Sequence, residues 1–198
     1  MRFAALFIFC FTSIAATAQD WATETEGFER RDGLLTVFTD EQTNRLRVLL
    51  PAPDAKGEAG TYLYATYLSA GLGSNDVGLD RNAGRGSNGI MTFDVVGDTV
   101  KIIAENTNFI ASADNPFEQA SVDKSFAKSI LWSGKILARE PETGKLLIDL
   151  SSFIARDVGI VSQLRGRGQG NFSHAKDLSY VNVDETLVFV ASFNVNIH

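Results

Sequence analysis

Cysteine is almost missing: Cys10 is the sole one in 198 residues. It falls in an N-terminal stretch that reads as a cleaved leader. Arg2 is a short basic start, Phe3 to Ile14 is an apolar run too short to span a bilayer comfortably, and Ala16-Thr17-Ala18 is a small-x-small cleavage site. Cleavage after Ala18 leaves a chain with no thiol, and so no disulfide, no thiolate-ligated zinc and no cysteine nucleophile. The competing reading, an N-terminal anchor, lacks both the length and a stop-transfer pattern. Histidine is nearly as scarce, with only His174 and His198 in unrelated contexts. A catalytic zinc needs about three protein ligands and a His-Glu-x-x-His signature is absent, so no metal ligands and no catalytic residues are assigned. Serine hydrolysis lacks its elbow, because neither Gly71-Leu72-Gly73-Ser74-Asn75 nor Gly86-Ser87-Asn88-Gly89 has the Gly-x-Ser-x-Gly spacing. Positive charge is short as well. The net charge is -6, one unit more negative once Arg2 leaves, which argues against nucleic acid or an anionic membrane as the main partner. No membrane span follows the leader.

What is present is a chain of roughly 180 residues after cleavage, enough for one domain with a full core. Residues 1–18 form the leader, 19–33 a lead-in and 34–198 a single β-rich domain, expected to be cut short because it stops just after a strand. Gln19 to Gly27 reads as irregular. Leu34 to Thr39 and Arg45 to Leu50 form a hairpin around the polar turn Asp40 to Asn44, and Asp54 to Gly60 reads as a surface loop. Tyr62 to Leu68 has both faces coverable, as in a central strand. Ile90 to Val96 and Thr99 to Ala104 pair through Gly97-Asp98. Asn115, Pro116 and Glu118 open a helix running to about Lys128. From Ile130 to Ala138 the even positions Ile130, Trp132, Gly134, Ile136 and Ala138 share a buried face, and Leu146 to Leu150 returns beside them. Ser151 or Ser152 then caps a second helix with Ile154, Val158 and Val161 on one stripe. Arg165 to Gly170 is a glycine-rich linker, and Leu187 to Val195 a clear strand. The class is α+β, mainly β: an antiparallel sheet curled into a sandwich or partial barrel, with two helices packed on it.

The long segment Gly71 to Gly89 carries the candidate site. A loop of this length without secondary structure of its own is usually functional or disordered. Asn75, Asp80 and Arg81 are the residues assigned to a ligand or inter-domain contact. Asp76 and Asp80 with Asn75 and Asn82 offer oxygen ligands for calcium, against the plainer reading of a solvated or domain-packed loop. Gly84-Arg85-Gly86-Ser87-Asn88-Gly89 matches Gly-x-Gly-x-x-Gly literally, but it precedes a strand rather than opening a helix and is coincidental.

Four passages resemble one family: Gly71-Leu72-Gly73-Ser74-Asn75 to Gly78-Leu79-Asp80-Arg81, Ser125-Phe126-Ala127 to Ile130-Leu131-Trp132, Leu147-Ile148-Asp149 to Ala155-Arg156-Asp157, and Gly168-Gln169-Gly170. They are similar to the N-terminal, non-catalytic region of large secreted bacterial zinc-dependent metalloproteases, in which a domain of unknown function precedes a metzincin-like catalytic domain. Gly27-Phe28-Glu29-Arg30-Arg31-Asp32-Gly33-Leu34 with its hairpin is similar too. The resemblance implies an exported, periplasmic or extracellular accessory domain, without hydrolytic activity of its own. Its partners would be a downstream peptidase domain or a peptide substrate, with zinc held only in that later domain. The alternative is a stand-alone envelope-associated module that binds glycan or peptide on a platform of Tyr62, Tyr64 or Tyr67.

Overall fold

A computed structural model describes residues 20–67, 88–109, 111, 115–126 and 128–197. Eight strands form one antiparallel sheet: β1 (Glu29–Arg31), β2 (Thr36–Asp40), β3 (Arg45–Leu50), β4 (Glu58–Ala65), β5 (Asn88–Val96), β6 (Thr99–Ala104), β7 (Ser129–Arg139) and β8 (Leu146–Asp149). Among the described residues their order is β1-β2-β3-β8-β7-β6-β5-β4, so this sheet ends on β1 and β4 and is not closed into a barrel. A separate hairpin, β9 (Val181–Val188) with β10 (Phe193–Ile197), lies beside β2 and β3. The fold is mainly β, as the alternating sequence implies.

The hairpins form where turn chemistry dictates. Asp40 Oδ1 accepts from the Gln42 N–H at 2.9 Å, closing the β2–β3 turn. Leu150 then sends its N–H to the Leu46 carbonyl and Ser151 Oγ accepts from the Leu46 N–H, locking β8 onto β3.

β7 is the junction. Its first part pairs with β6 and its last with β8, with a register shift in each ladder. The first shift falls at Leu131. It turns Leu131 toward the core and throws Ile130 to the opposite face, where it is 61 % exposed. The second falls at Leu137 and sends Ala138 to that same opposite face, against Leu147. A bulge inserts one residue and re-aims the side chains beyond it, so strict alternation along this strand fails at both ends.

The inner face carries Val37, Val48, Ile148, Phe93, Val100 and Ile102, all fully buried, and Val181 and Val183 of β9 pack over it. Arg31 pins that hairpin by donating from Nη1 to the carbonyls of Val183 and Thr186. On the outer face Phe38, Leu49, Ala138 and Leu147 form a second core under Trp21 and Phe28.

Several expectations change. The lead-in is not irregular: residues 20–25 are helical (α1) and β1 follows. Tyr62 to Leu68 does not read as a central strand: β4 runs Glu58–Ala65 and is the last strand of the sheet among the described residues, and Leu68 lies outside them. The first helix, α2 (Pro116–Ser125), has its Asn115 cap on the Phe117 N–H, but Phe117 is 85 % exposed and no described side chain of α2 is buried. It is polar nearly all round and does not lie on the sheet as expected. The second helix is two, α3 (Ser151–Ile154) and α4 (Ile160–Gly166). Helix α3 stops at Ile154, and Gly159, in the left-handed conformation at φ +90°, stands at the N-cap of α4. Helix α4 also absorbs the start of the expected glycine linker. Leu187 to Val195 is not one strand, because the Phe189 N–H bonds the Ser192 carbonyl and turns the chain back.

Candidate functional site

Asn75, Asp80 and Arg81 lie outside the described residues, as do the other loop residues named with them up to Ser87. The described chain meets that segment at Tyr67 and Asn88, where the Thr66 N–H reaches Asn88 Oδ1 at 3.3 Å. Beside this end of the β4–β5 ladder sits a cluster assembled from three distant stretches.

Its centre is Arg156, just after α3. Nη2 donates to Tyr64 Oη at 2.7 Å, and Nη1 donates to the Phe153 carbonyl. The guanidinium carbon lies 3.9 Å from the Phe153 ring centroid and 5.8 Å from that of Tyr64. Phe153 is wedged between Tyr64, at 5.9 Å, and Trp132, at 6.2 Å. Trp132 Nε1 donates to Ser152 Oγ at 2.9 Å, tying β7 to the same helical turn. The indole lies over Gly134, where an added Cβ would fall 2.1 Å from the ring. Gly134, expected only as a small inward residue, is therefore the space that Trp132 occupies. Arginine over aromatic rings contributes about 0.5–2 kcal/mol where water is partly excluded. Among the described residues no carboxylate is within ion-pair distance of Arg156, so its planar donors suit a carboxylate or phosphate.

Tyr62 and Tyr64 face inward, not outward as a binding platform requires. Tyr62 packs edge-on against Phe93 at 5.8 Å, and burial raises its phenol pKa. Its ring folds back over Gly60, which sits at φ +117° inside the register shift between Glu58 and Thr61. Tyr67, 71 % exposed, is the one of the three that offers a free face.

The outer face divides in two. Over β2, β3 and β8 the α1 segment covers it. Trp21 meets Phe38 edge-on at 5.9 Å, and Arg47 lies 4.2 Å from the Phe28 ring while pairing with Glu24 at 2.8 Å. Over β4 to β7 the same face carries Leu63 (87 % exposed), Ile90, Ile103 and Ile130. Among the described residues nothing comparable to α1 packs over them. A shallow groove of about 420 Å³ opens where β6 ends, lined by Glu105, Asn106, Phe109, Phe126 and Ser129. The stacked rings of Phe109 and Phe126, 4.0 Å apart, form its wall.

Among the described residues no group of three His, Cys, Asp or Glu side chains is placed to hold a metal, and no helix is long and apolar enough to cross a membrane. The Arg156 cluster is invisible to a reading of motifs, because its members are far apart in the chain. The usable signals were local: Phe153 and Arg156 three apart on one helical turn, and Trp132 two before Gly134.

A family described as a domain of unknown function, DUF5117, matches residues 84–198. No curated protein and no solved structure matches the chain.

Proposed function

The chain belongs to the DUF5117 family, and from that premise we propose that it is a non-catalytic N-terminal accessory domain of an exported zinc-dependent metalloprotease. In this reading it supports or docks a peptidase domain or presents that domain's peptide substrate, and zinc sits in the downstream catalytic domain. The leader-like N-terminus and the series of passages similar to such proteases support the assignment. The single observation that carries the docking role is the apolar half of the outer face that no described residue covers, where Ile130 and Leu63 stand exposed and Ile90 and Ile103 are half-buried. Contiguous apolar surface of this kind marks interaction sites.

The test has two parts. Coding DNA is read past the codon for His198, and the mass and zinc content of the natively secreted product are determined. The isolated peptidase region, if encoded, is then titrated with this chain and with Ile130→Glu. A His-Glu-x-x-His continuation whose product binds the chain, with binding weakened about tenfold by Ile130→Glu, supports docking through this face. A zinc-free product ending at His198 overturns the accessory role. The second reading, a stand-alone envelope module for glycan or peptide, draws on the exposed ring of Tyr67. It requires saturable binding to envelope fractions that Tyr67→Ala abolishes.

A further inference from the structure

The two edges of the sheet are built differently. β1 presents only Glu29, Arg30 and Arg31, whose charges are engaged in the Glu29–Arg31 and Arg30–Asp32 pairs. A short, charged edge repels further strands. β4 presents eight residues, and no charged residue occurs between Glu58 and Asp76. Its beginning is blunted by the register shift at Gly60, which leaves Thr61 to Ala65 as regular strand.

The direction of the free backbone groups is set by the neighbouring ladders. The Val95 N–H bonds the Gly57 carbonyl and the Glu105 N–H bonds the Ile90 carbonyl. Gly89, Met91, Phe93 and Val95 therefore turn their backbone groups toward β4, and Ile90 and Thr92 turn theirs toward β6. Tyr62 and Tyr64, registered on Met91 and Gly89, bond to β5. Thr61, Leu63 and Ala65 point their N–H and C=O groups out of the sheet, and among the described residues none pairs with them.

We propose that this edge binds a second copy of the same chain, β4 against β4, antiparallel about a twofold axis at Leu63. Leu63 then faces Leu63 of the second copy, Thr61 faces Ala65, and Tyr62 faces Tyr64, with about six main-chain hydrogen bonds between the copies. The segment is self-complementary in this register. Tyrosines meet on the inner side, Leu63 meets Leu63 on the outer side flanked by each copy's Ile90, and no like charges are opposed. In a protein of net charge -6 this is a stretch on which two copies approach without charge repulsion. A foreign extended peptide would gain the same backbone bonds but has no reason to match the Tyr-Leu-Tyr alternation. The proposal shares Leu63 with the face assigned to peptidase docking, and Ile130, which lies on that face but not on the β4 edge, separates the two.

Sedimentation equilibrium of the full secreted chain tests it, with amide exchange read at Thr61, Leu63 and Ala65. The expected result is a reversible dimer whose formation protects those three amides. Leu63→Lys, which sets two cations together at the axis, weakens it at least about tenfold, as does Ala65→Lys. Leu63→Val and Ile130→Lys leave it intact, and circular dichroism shows every variant folded. A chain monomeric at all concentrations overturns the proposal. So does a dimer insensitive to Leu63→Lys and Ala65→Lys, or one lost on Ile130→Lys, which would place the contact on the outer face.

Discussion

The half of the sheet made by β2, β3 and β8 is covered on both faces, whereas over the half made by β4, β5, β6 and the start of β7 the described residues cover the inner face and place nothing comparable to α1 on the outer one. The difference is written in the strands. Arg45–Leu50 is buried at five of its six positions, and Leu146–Ile148 are all buried. Gly60–Ala65 of β4 alternates instead between half-buried and exposed. Continuous burial requires a cover on each side, and α1 with Phe28 supplies the outer one. Even Arg47 is submerged there, its side chain 9 % exposed, held by Glu24 and the Phe28 ring with its Nε left unpartnered. A cation is tolerated in such a place only when paired. The two halves thus use one sheet for two purposes, one closed upon its own lead-in and the other open.

Substitutions ranked by effect sharpen the contrast. The largest loss is expected for Ile148→Ala, in the doubly covered half with no exposed surface, at about 2–5 kcal/mol by urea denaturation. Ile130→Ala, the same chemical change in the open half, should stay within about 0.5 kcal/mol. Equal losses at the two sites would erase the distinction. Glu24→Ala takes the carboxylate from Arg47, leaving it only the Glu24 carbonyl and the Phe28 ring, and should destabilise by about 1–3 kcal/mol. Arg47→Met with Glu24→Ala should recover part of it, as a double-mutant cycle will measure. Ser152→Ala removes the acceptor of the Trp132 indole and should cost about 1 kcal/mol, with a shift in tryptophan emission.

The smallest effect concerns acid. Asp54 accepts from the Lys56 and Glu58 N–H groups at the entry to β4, and the Glu58 bond, foremost, holds its pKa below the ordinary aspartate value. A depressed folded-state pKa gives stability that is present above the unfolded value and lost as pH falls through the folded one. Asp54→Asn should therefore flatten the pH dependence of stability only below the ordinary aspartate range, as acid titration of the urea midpoint will report.

Most local turn chemistry was readable before the structure, although neither Ser151 nor Ser152 caps α3: Leu150 holds that position without a side-chain bond, and Ser151 Oγ serves the Leu46 N–H instead. The β2–β3, β5–β6 and β7–β8 hairpins and the Asn115 cap each arise from a few adjacent residues. What failed depended on distant partners. Ile130 left its expected face because a bulge at Leu131 intervenes, and alternation carries no mark of a bulge. Tyr62 to Leu68 looked central because Leu63 is apolar, yet an apolar outward residue on an edge strand has the same letters. The second helix broke after Ile154 and restarted behind Gly159, a glycine that either reading permits. The Arg156 cluster needed the ladders themselves, since only they bring Tyr64 and Trp132 to α3.

The strand order also prescribes a sequence of events. The β4–β7 half is drawn from one uninterrupted stretch of chain, Glu58 to Lys135, and each of its ladders joins strands consecutive along it. The other half must bring Leu50 to Leu146, about 100 residues apart, before β3 and β8 can meet. β7 belongs to both. Once it has zipped onto β6, its far end presents Ile136 to Arg139 as a template, and the loop that β3 and β8 must close is already shortened by the folded insert. On loop-closure grounds the β4–β7 half is expected to form first and to template the other, which slower folding on substitution in β5 or β6 than in β3 would check.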